Sequence, residues 1–180
     1  WQRGNPEDSA LYAEKALSLA SKRDDQMSKK LYAKALNNLG NVYYAVSQFE
    51  KSLDYFHESR QLLESLNDTE FIPTIYSNIG STYKAFGKLQ EAVDYTSRAL
   101  AIHESQNNRF ECGVSQSNLG AVYFTLKDYE RSLYFFQQAL NTFEELNTPG
   151  PSSAVLVNLG NVFLSSNKYD DALNCMKRAL

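Results

Sequence analysis

The chain has 180 residues, 43% of them hydrophobic and 22% charged, with a net charge of -3. That balance gives no support to a nucleic-acid partner or to an acidic membrane surface. No apolar run approaches the roughly 18 residues of a membrane-spanning helix, and no signal peptide is visible. Cys112 and Cys175 are too few and too far apart for a disulfide framework or a zinc site, and they read as buried thiols of a reducing, cytoplasmic setting. The chain starts at Trp1 and stops at Leu180 inside a helical pattern, so it is expected to be a piece of a longer protein.

In chain order, Asn5-Pro6-Glu7 opens a first helix: Asn caps, Pro suits the first turn, and the acid meets the positive helix end. Tyr12, Ala16 and Leu19 carry its apolar face to about Lys22, giving one lone helix over 5–23. The junction that follows, around Asp24-Asp25-Gln26, is three residues longer than the later ones.

From there a word repeats: Asn38-Leu39-Gly40, Asn78-Ile79-Gly80, Asn118-Leu119-Gly120 and Asn158-Leu159-Gly160, at a fixed spacing of 40 residues. A period of this size marks stacked structural repeats. Four units follow, at 27–67, 70–107, 110–147 and 151–180, the last one truncated. Thr148-Pro149-Gly150-Pro151 breaks the pattern without losing register, and reads as a loop between repeats inside a single array.

Each unit carries two amphipathic stretches. Leu36, Leu39 and Tyr43 share one helical face, and Phe49, Leu53 and Phe56 share the next. Ser47, Gly87, Lys127 and Asn167 stand between them; Gly and Asn suit a left-handed turn, and Ser47-x-x-Glu50 reads as a capping box. Each unit is thus a pair of antiparallel helices, A then B. The four mid-helix glycines each cost about 1 kcal/mol relative to Ala. Small residues recur twelve positions on (Ser52, Ala92, Ser132, Ala172) and nineteen on (Ser59, Ala99, Ala139, Ala179). Gly on helix A is therefore expected to face small residues on helix B, with larger side chains filling between layers.

The pattern resembles the tetratricopeptide repeat, as Leu36-x2-Leu39-Gly40-x2-Tyr43 followed by Ser52-x3-Phe56. The resemblance spans nearly the whole chain. Two departures stand out. Leu36, Tyr76, Gln116 and Leu156 take the place of the usual Trp, and Gln116 suits that packing role least. Glu64 replaces the closing Pro, so helix B runs on through Leu66. The longer unit is similar to repeats of kinesin light chains, Pins-type scaffolds, Gram-positive peptide-sensing regulators and bacterial sensory arrays.

The resemblance implies an all-α, right-handed solenoid of antiparallel helix pairs, about nine helices in all, with no catalytic residues, cofactor or metal of its own. It implies a non-enzymatic scaffold that holds a peptide or helical segment of a partner protein in a concave groove lined by the A helices. The alternative is a sensory array controlling an attached kinase, cyclase or transcription factor. Self-association through the apolar terminal repeat is a third reading. The groove positions include Lys34, Asn37, Asn41, Tyr44 and Ala45; Thr74, Ser77, Ser81, Lys84 and Ala85; Val114, Ser117, Ala121, Phe124 and Thr125; and Ala154, Val157, Asn161, Leu164 and Ser165. Basic residues are missing from a key row (Asn37, Ser77, Ser117, Val157), so the family's clamp for chaperone carboxylates is not expected.

Asn38, Asn78, Asn118 and Asn158 admit two explanations. Their amides could form a ladder for an extended peptide backbone, or they could hydrogen-bond adjacent A helices to one another. His57 and His103 lack a partner at metal-ligand spacing and read as surface or packing residues. The acid pairs Asp24-Asp25, Glu144-Glu145 and Asp170-Asp171 fall at helix ends or on exposed faces, where solvation or the helix dipole accounts for them. No nucleophile–base arrangement and no Gly-rich phosphate loop is present.

Overall fold

The computed structural model describes residues 6–20 and 25–180. The expected cap Asn5, the helix end near Lys22 and Asp24 of the first junction lie outside the described residues, as does the side chain of Ala16. Nine helices and no strand occur among the described residues. They are α1 (Pro6–Ala20), α2 (Gln26–Ala45), α3 (Phe49–Ser65), α4 (Ile72–Ala85), α5 (Leu89–Ser105), α6 (Arg109–Thr125), α7 (Tyr129–Glu145), α8 (Pro149–Ser165) and α9 (Tyr169–Ala179). The A helices are α2, α4, α6 and α8; α1, α3, α5, α7 and α9 are of the B type.

Packing divides the chain into two compact units, Trp1–Lys88 and Leu89–Leu180. In the first, α2 packs between α1 and α3, α3 packs on α4, and α2 also touches α4. In the second, α5 packs on α6, α6 on α7, α7 on α8 and α8 on α9, with α6 touching α8. The A helices within each unit are therefore neighbours.

The turns have one design. Ser47, Gly87, Lys127 and Asn167 all sit at positive φ, between 58° and 82°. After α2, the Ser47 N–H donates to the Tyr44 carbonyl and the Gln48 N–H to the Tyr43 carbonyl, both at 2.9 Å. That pair of bonds closes the helix end as a Schellman motif. It also disposes of the capping box: Ser47 belongs to the end of α2, and the N-cap of α3 is Gln48, which makes no side-chain cap bond. Asn67, Asn107 and Asn147 repeat the left-handed turn after α3, α5 and α7. Asn tolerates this conformation, whereas Ser and Lys spend roughly 1–2 kcal/mol on it. True side-chain caps come from Asp25, Asn108 and Asp128. Glu144 and Glu145, at the negative end of α7, are not helped by the dipole; Arg178 and Arg109 pair with them instead.

The glycines make room for rings as well as for backbone. A Cβ on Gly40 would lie 2.5 Å from the Phe56 ring, and one on Gly120 would lie 2.8 Å from the Phe136 ring. Both phenylalanines are almost fully buried, so each ring lies across a helix A backbone that has no side chain in its way. The small residues at plus twelve play a different part from bare clearance. Ser52 Oγ donates to the Gly40 carbonyl at 2.8 Å, and Ser132 Oγ to the Gly120 carbonyl at 2.9 Å. At Gly160 the ring is replaced by Met176, whose nearest atom stands 3.2 Å from the added Cβ position. The expectation that large side chains fill only between layers is thus corrected: in two repeats the largest one fills the glycine notch itself.

The core of the second unit joins Phe136, Leu140 and Phe143 of α7 to Val155, Leu156, Leu159 and Val162 of α8 and Cys175 of α9. In the first unit Leu36, Leu39, Phe56, Leu63, Ile75 and Ile79 are the largest fully buried side chains. Of the four residues at the Trp position, Leu36 and Leu156 are buried and Tyr76 and Gln116 half-buried. Gln116 takes a hydrogen bond on Oε1 from Thr142 Oγ1 at 3.4 Å.

Candidate functional site

Helical periodicity decides what each A helix leaves uncovered. Leu36, Leu39 and Gly40 turn into the core, while Asn38, Asn41 and Ala45 of α2 stay exposed. In the first unit Lys34, Asn38, Asn41, Tyr44 and Ala45 are exposed on α2, while Ser77, Asn78, Ser81 and Lys84 are half-buried on α4, with Thr74 and Ala85 exposed. Asn37, expected on the groove, is instead buried at 5% exposure. Its Oδ1 accepts a 2.7 Å bond from Asn78 Nδ2, which ties α2 to α4. That bond uses one donor of Asn78 and none of its acceptor capacity.

In the second unit Ser117, Asn118, Ala121 and Phe124 of α6 are half-buried and Thr125 is exposed; on α8, Asn158 is half-buried and Ala154, Val157, Asn161, Leu164 and Ser165 are exposed. Val114, Ala121 and Phe124 also pack against the core cluster. The aromatic pairing repeats between units. Tyr44 lies 6.0 Å from Phe49, and Phe124 lies 6.0 Å from Tyr129, each pair tilted. Each unit thus offers a band of amides and hydroxyls bordered by a supported aromatic ring, a combination suited to polypeptide contact.

One residue of this region escapes sequence reasoning. Asp68, just after the left-handed Asn67, is buried, pairs with Lys30 at 2.7 Å and accepts the N–H groups of Glu70 and Phe71. Burial alone would push its carboxyl up; the bonds from Lys30 and from the Phe71 and Glu70 amides outweigh it and hold it below the usual range. It fixes the approach to α4 against α2. The signal was an Asp immediately following the turn residue, placed to cap.

The histidines sit away from these faces. His57, on α3, lies 3.4 Å from the Tyr83 hydroxyl; burial and then Arg60 push its pKa down. His103, on α5, is buried with Nδ1 making no hydrogen bond, and burial lowers its pKa against the opposing pull of Glu111. Burial raises the pKa of both thiols, Cys112 and Cys175. Among the described residues no three His, Cys, Asp or Glu side chains group as metal ligands, and no helix is long and apolar enough to cross a membrane.

Paired helices, a mid-helix glycine every 40 residues and an exposed A-helix face define the class: a repeat protein of the helical-hairpin type. The tetratricopeptide repeat model matches residues 31–105 and 111–180, and the chain belongs to that family. No curated protein matches it. Among solved structures it is similar to BtubC (BKLC) from P. vanneervenii, with a TM-score of 0.83 and 21% identity, over 97% of this chain and 72% of that one. It is similar to a Rap protein complexed with competence and sporulation factor, with a TM-score of 0.81 and 18% identity, over 97% and 48%. A third is a signal transduction ATPase with numerous domains that carries a tetratricopeptide repeat sensor, from Pyrococcus horikoshii, with a TM-score of 0.81 and 17% identity, over 99% and 29%. The chain spans about half or less of the length of the last two. At these identities the likeness establishes the fold, an α-solenoid of antiparallel helix pairs.

Proposed function

We propose that this chain is a non-enzymatic interaction scaffold whose A-helix faces hold an extended or helical segment of a partner protein. The observation that carries this reading is the recurrence, at one register in both units, of exposed or half-buried Asn, Ser and aromatic side chains on helices whose other face is committed to the core. Asn38, Asn118, Asn158 and the acceptor side of Asn78 are the ladder positions; the Asn78–Asn37 bond supports a bracing role in one place. The Rap structure, solved with a bound factor, supports the same use of the fold. Free thiols at Cys112 and Cys175 fit a reducing cytoplasmic setting.

Hydrogen exchange with a peptide selected from a random twelve-residue display library tests the assignment. Slowed exchange concentrated in α2, α4, α6 and α8 supports it. Protection confined to the B helices overturns it.

A second reading, a sensory array that regulates an attached output domain, is favoured by the tetratricopeptide repeat sensor of the Pyrococcus horikoshii protein. It uses the same faces and differs in what the occupied array then controls.

A further inference from the structure

The charges of the first unit are sorted by helix. Neither α2 nor α4 contains an Asp or Glu, while together they carry Lys29, Lys30, Lys34 and Lys84. The outward helix α3 carries the acids Glu50, Asp54, Glu58 and Glu64 against Lys51 and Arg60. The second unit shows no such sorting: α8 has no charged residue, and α6 has one Arg and one Glu. Overall charge is negative, so a basic inner face in the first unit runs against the trend of the molecule.

Not all of that charge is available. Asp68 takes Lys30. Lys34 is exposed on α2 and extends over the Phe71 ring, 5.2 Å from its centroid, which orients the ammonium without neutralising it. Lys84 is half-buried in the last turn of α4, where an ammonium also complements the negative helix end. Lys34 stands six residues before its glycine and Lys84 four after its own. Ten residues of helical rise make about 15 Å. With a lateral step of about 9 Å between neighbouring helices, the Cα positions of the two lysines stand roughly 18 Å apart, a span that an extended chain covers in five or six residues.

The geometry points to an acidic peptide as the occupant of the first unit: an extended segment with two carboxylates five or six residues apart, one on Lys34 and one on Lys84, its intervening backbone across Asn38, Asn41 and Ser81. This rests on the reading that the A-helix faces bind polypeptide. It adds the sign of the charge. The acids of α3 repel such a segment from the outer surface, so electrostatics selects the face as well as the ligand.

The test is selection from a random twelve-residue peptide display library at about 50 mM and about 300 mM salt, run on the protein and on Lys34→Gln/Lys84→Gln. Enrichment of paired Asp or Glu at five- or six-residue spacing is expected. Affinity should fall about tenfold in the double variant, each exposed ion pair being worth roughly two- to fivefold, and the salt dependence should flatten with it. Selected peptides without acid enrichment, bound equally by the double variant, overturn the charge assignment and leave the scaffold reading standing. A library that yields no binder at all overturns both. Preferential binding of a twelve-nucleotide single strand, tested in parallel, would also overturn the peptide assignment.

Discussion

Substituting the glycine notch tests the packing model most sharply. In Gly120→Ala the new methyl would lie 2.8 Å from Cδ1 and Cγ of Phe136 and 2.9 Å from Cε1, closer than real carbon contacts. Phe136 is 2% exposed and embedded in the core cluster, so its ring has nowhere to swing. Overpacking of this kind costs about 1–3 kcal/mol, set against a gain of about 1 kcal/mol for replacing Gly by Ala inside a helix. The net is a loss of up to about 2 kcal/mol. Gly160→Ala, in the same unit, meets the flexible Met176 at 3.2 and 3.3 Å and the Ala172 carbonyl at an ordinary 3.6 Å; there the propensity gain should dominate, and stability should hold or rise by up to about 1 kcal/mol. Gly120→Leu should cost several kcal/mol. Urea titrations followed by circular dichroism, compared at fixed slope, read the differences. The decisive comparison adds Phe136→Leu, which removes the ring the methyl strikes; Gly120→Ala should be milder in that background. Equal stability of Gly120→Ala and Gly160→Ala, with no coupling to Phe136, would refute the ring-in-notch account.

Three further outcomes follow from single contacts. Asp68→Asn should cost the first unit about 1–3 kcal/mol, because it removes a buried charge partner of Lys30. Since the folded carboxyl titrates below its ordinary value, its contribution is present above an unfolded pKa of about 3.9 and fades as pH falls through the folded one; acid titrations of wild type and variant should converge there. His103→Leu, which copies Leu63 one repeat earlier, should stabilise the second unit by about 1–3 kcal/mol by removing an unsatisfied buried nitrogen. The depressed pKa of His103 means the unfolded chain takes the proton first. Wild-type stability should therefore fall as pH drops below about 6.5, and the variant should lose that slope in melts between pH 7 and 5. Asn78→Ala should cost about 1–3 kcal/mol by orphaning the buried Asn37 acceptor; a melt unchanged by this substitution would remove the brace.

Periodicity made the fold legible, since a 40-residue word and two apolar faces per unit are local properties of the chain. Left-handed turns at Gly87 and Asn167 were readable for the same reason, because residue type alone favours that conformation. Ser47 was not. A Ser three residues before Glu fits a capping box on paper, and only the Ser47 and Gln48 N–H bonds back to Tyr44 and Tyr43 show which helix it serves. Asn67, Asn107 and Asn147 carried the same turn signal just past the ends of the longer B helices. At the candidate site, the family resemblance indicated which positions look outward, yet it put Asn37 among them. The contact that buries Asn37 comes from Asn78, 41 residues on, and no pattern within one helix reveals a partner on another. Phe56 and Phe136 filling the glycine notches is tertiary information of the same kind.

The most direct test of partner binding by the A-helix faces is the affinity of a library-selected peptide, read by fluorescence anisotropy on wild type, on Tyr44→Ala/Phe124→Ala, and on Glu58→Gln from the outer face. Binding should weaken at least tenfold in the double variant at a temperature where its circular dichroism remains native, and should be unchanged in Glu58→Gln. Undiminished affinity in the double variant, or loss in Glu58→Gln alone, would place the contact on the other side of the molecule and contradict the account.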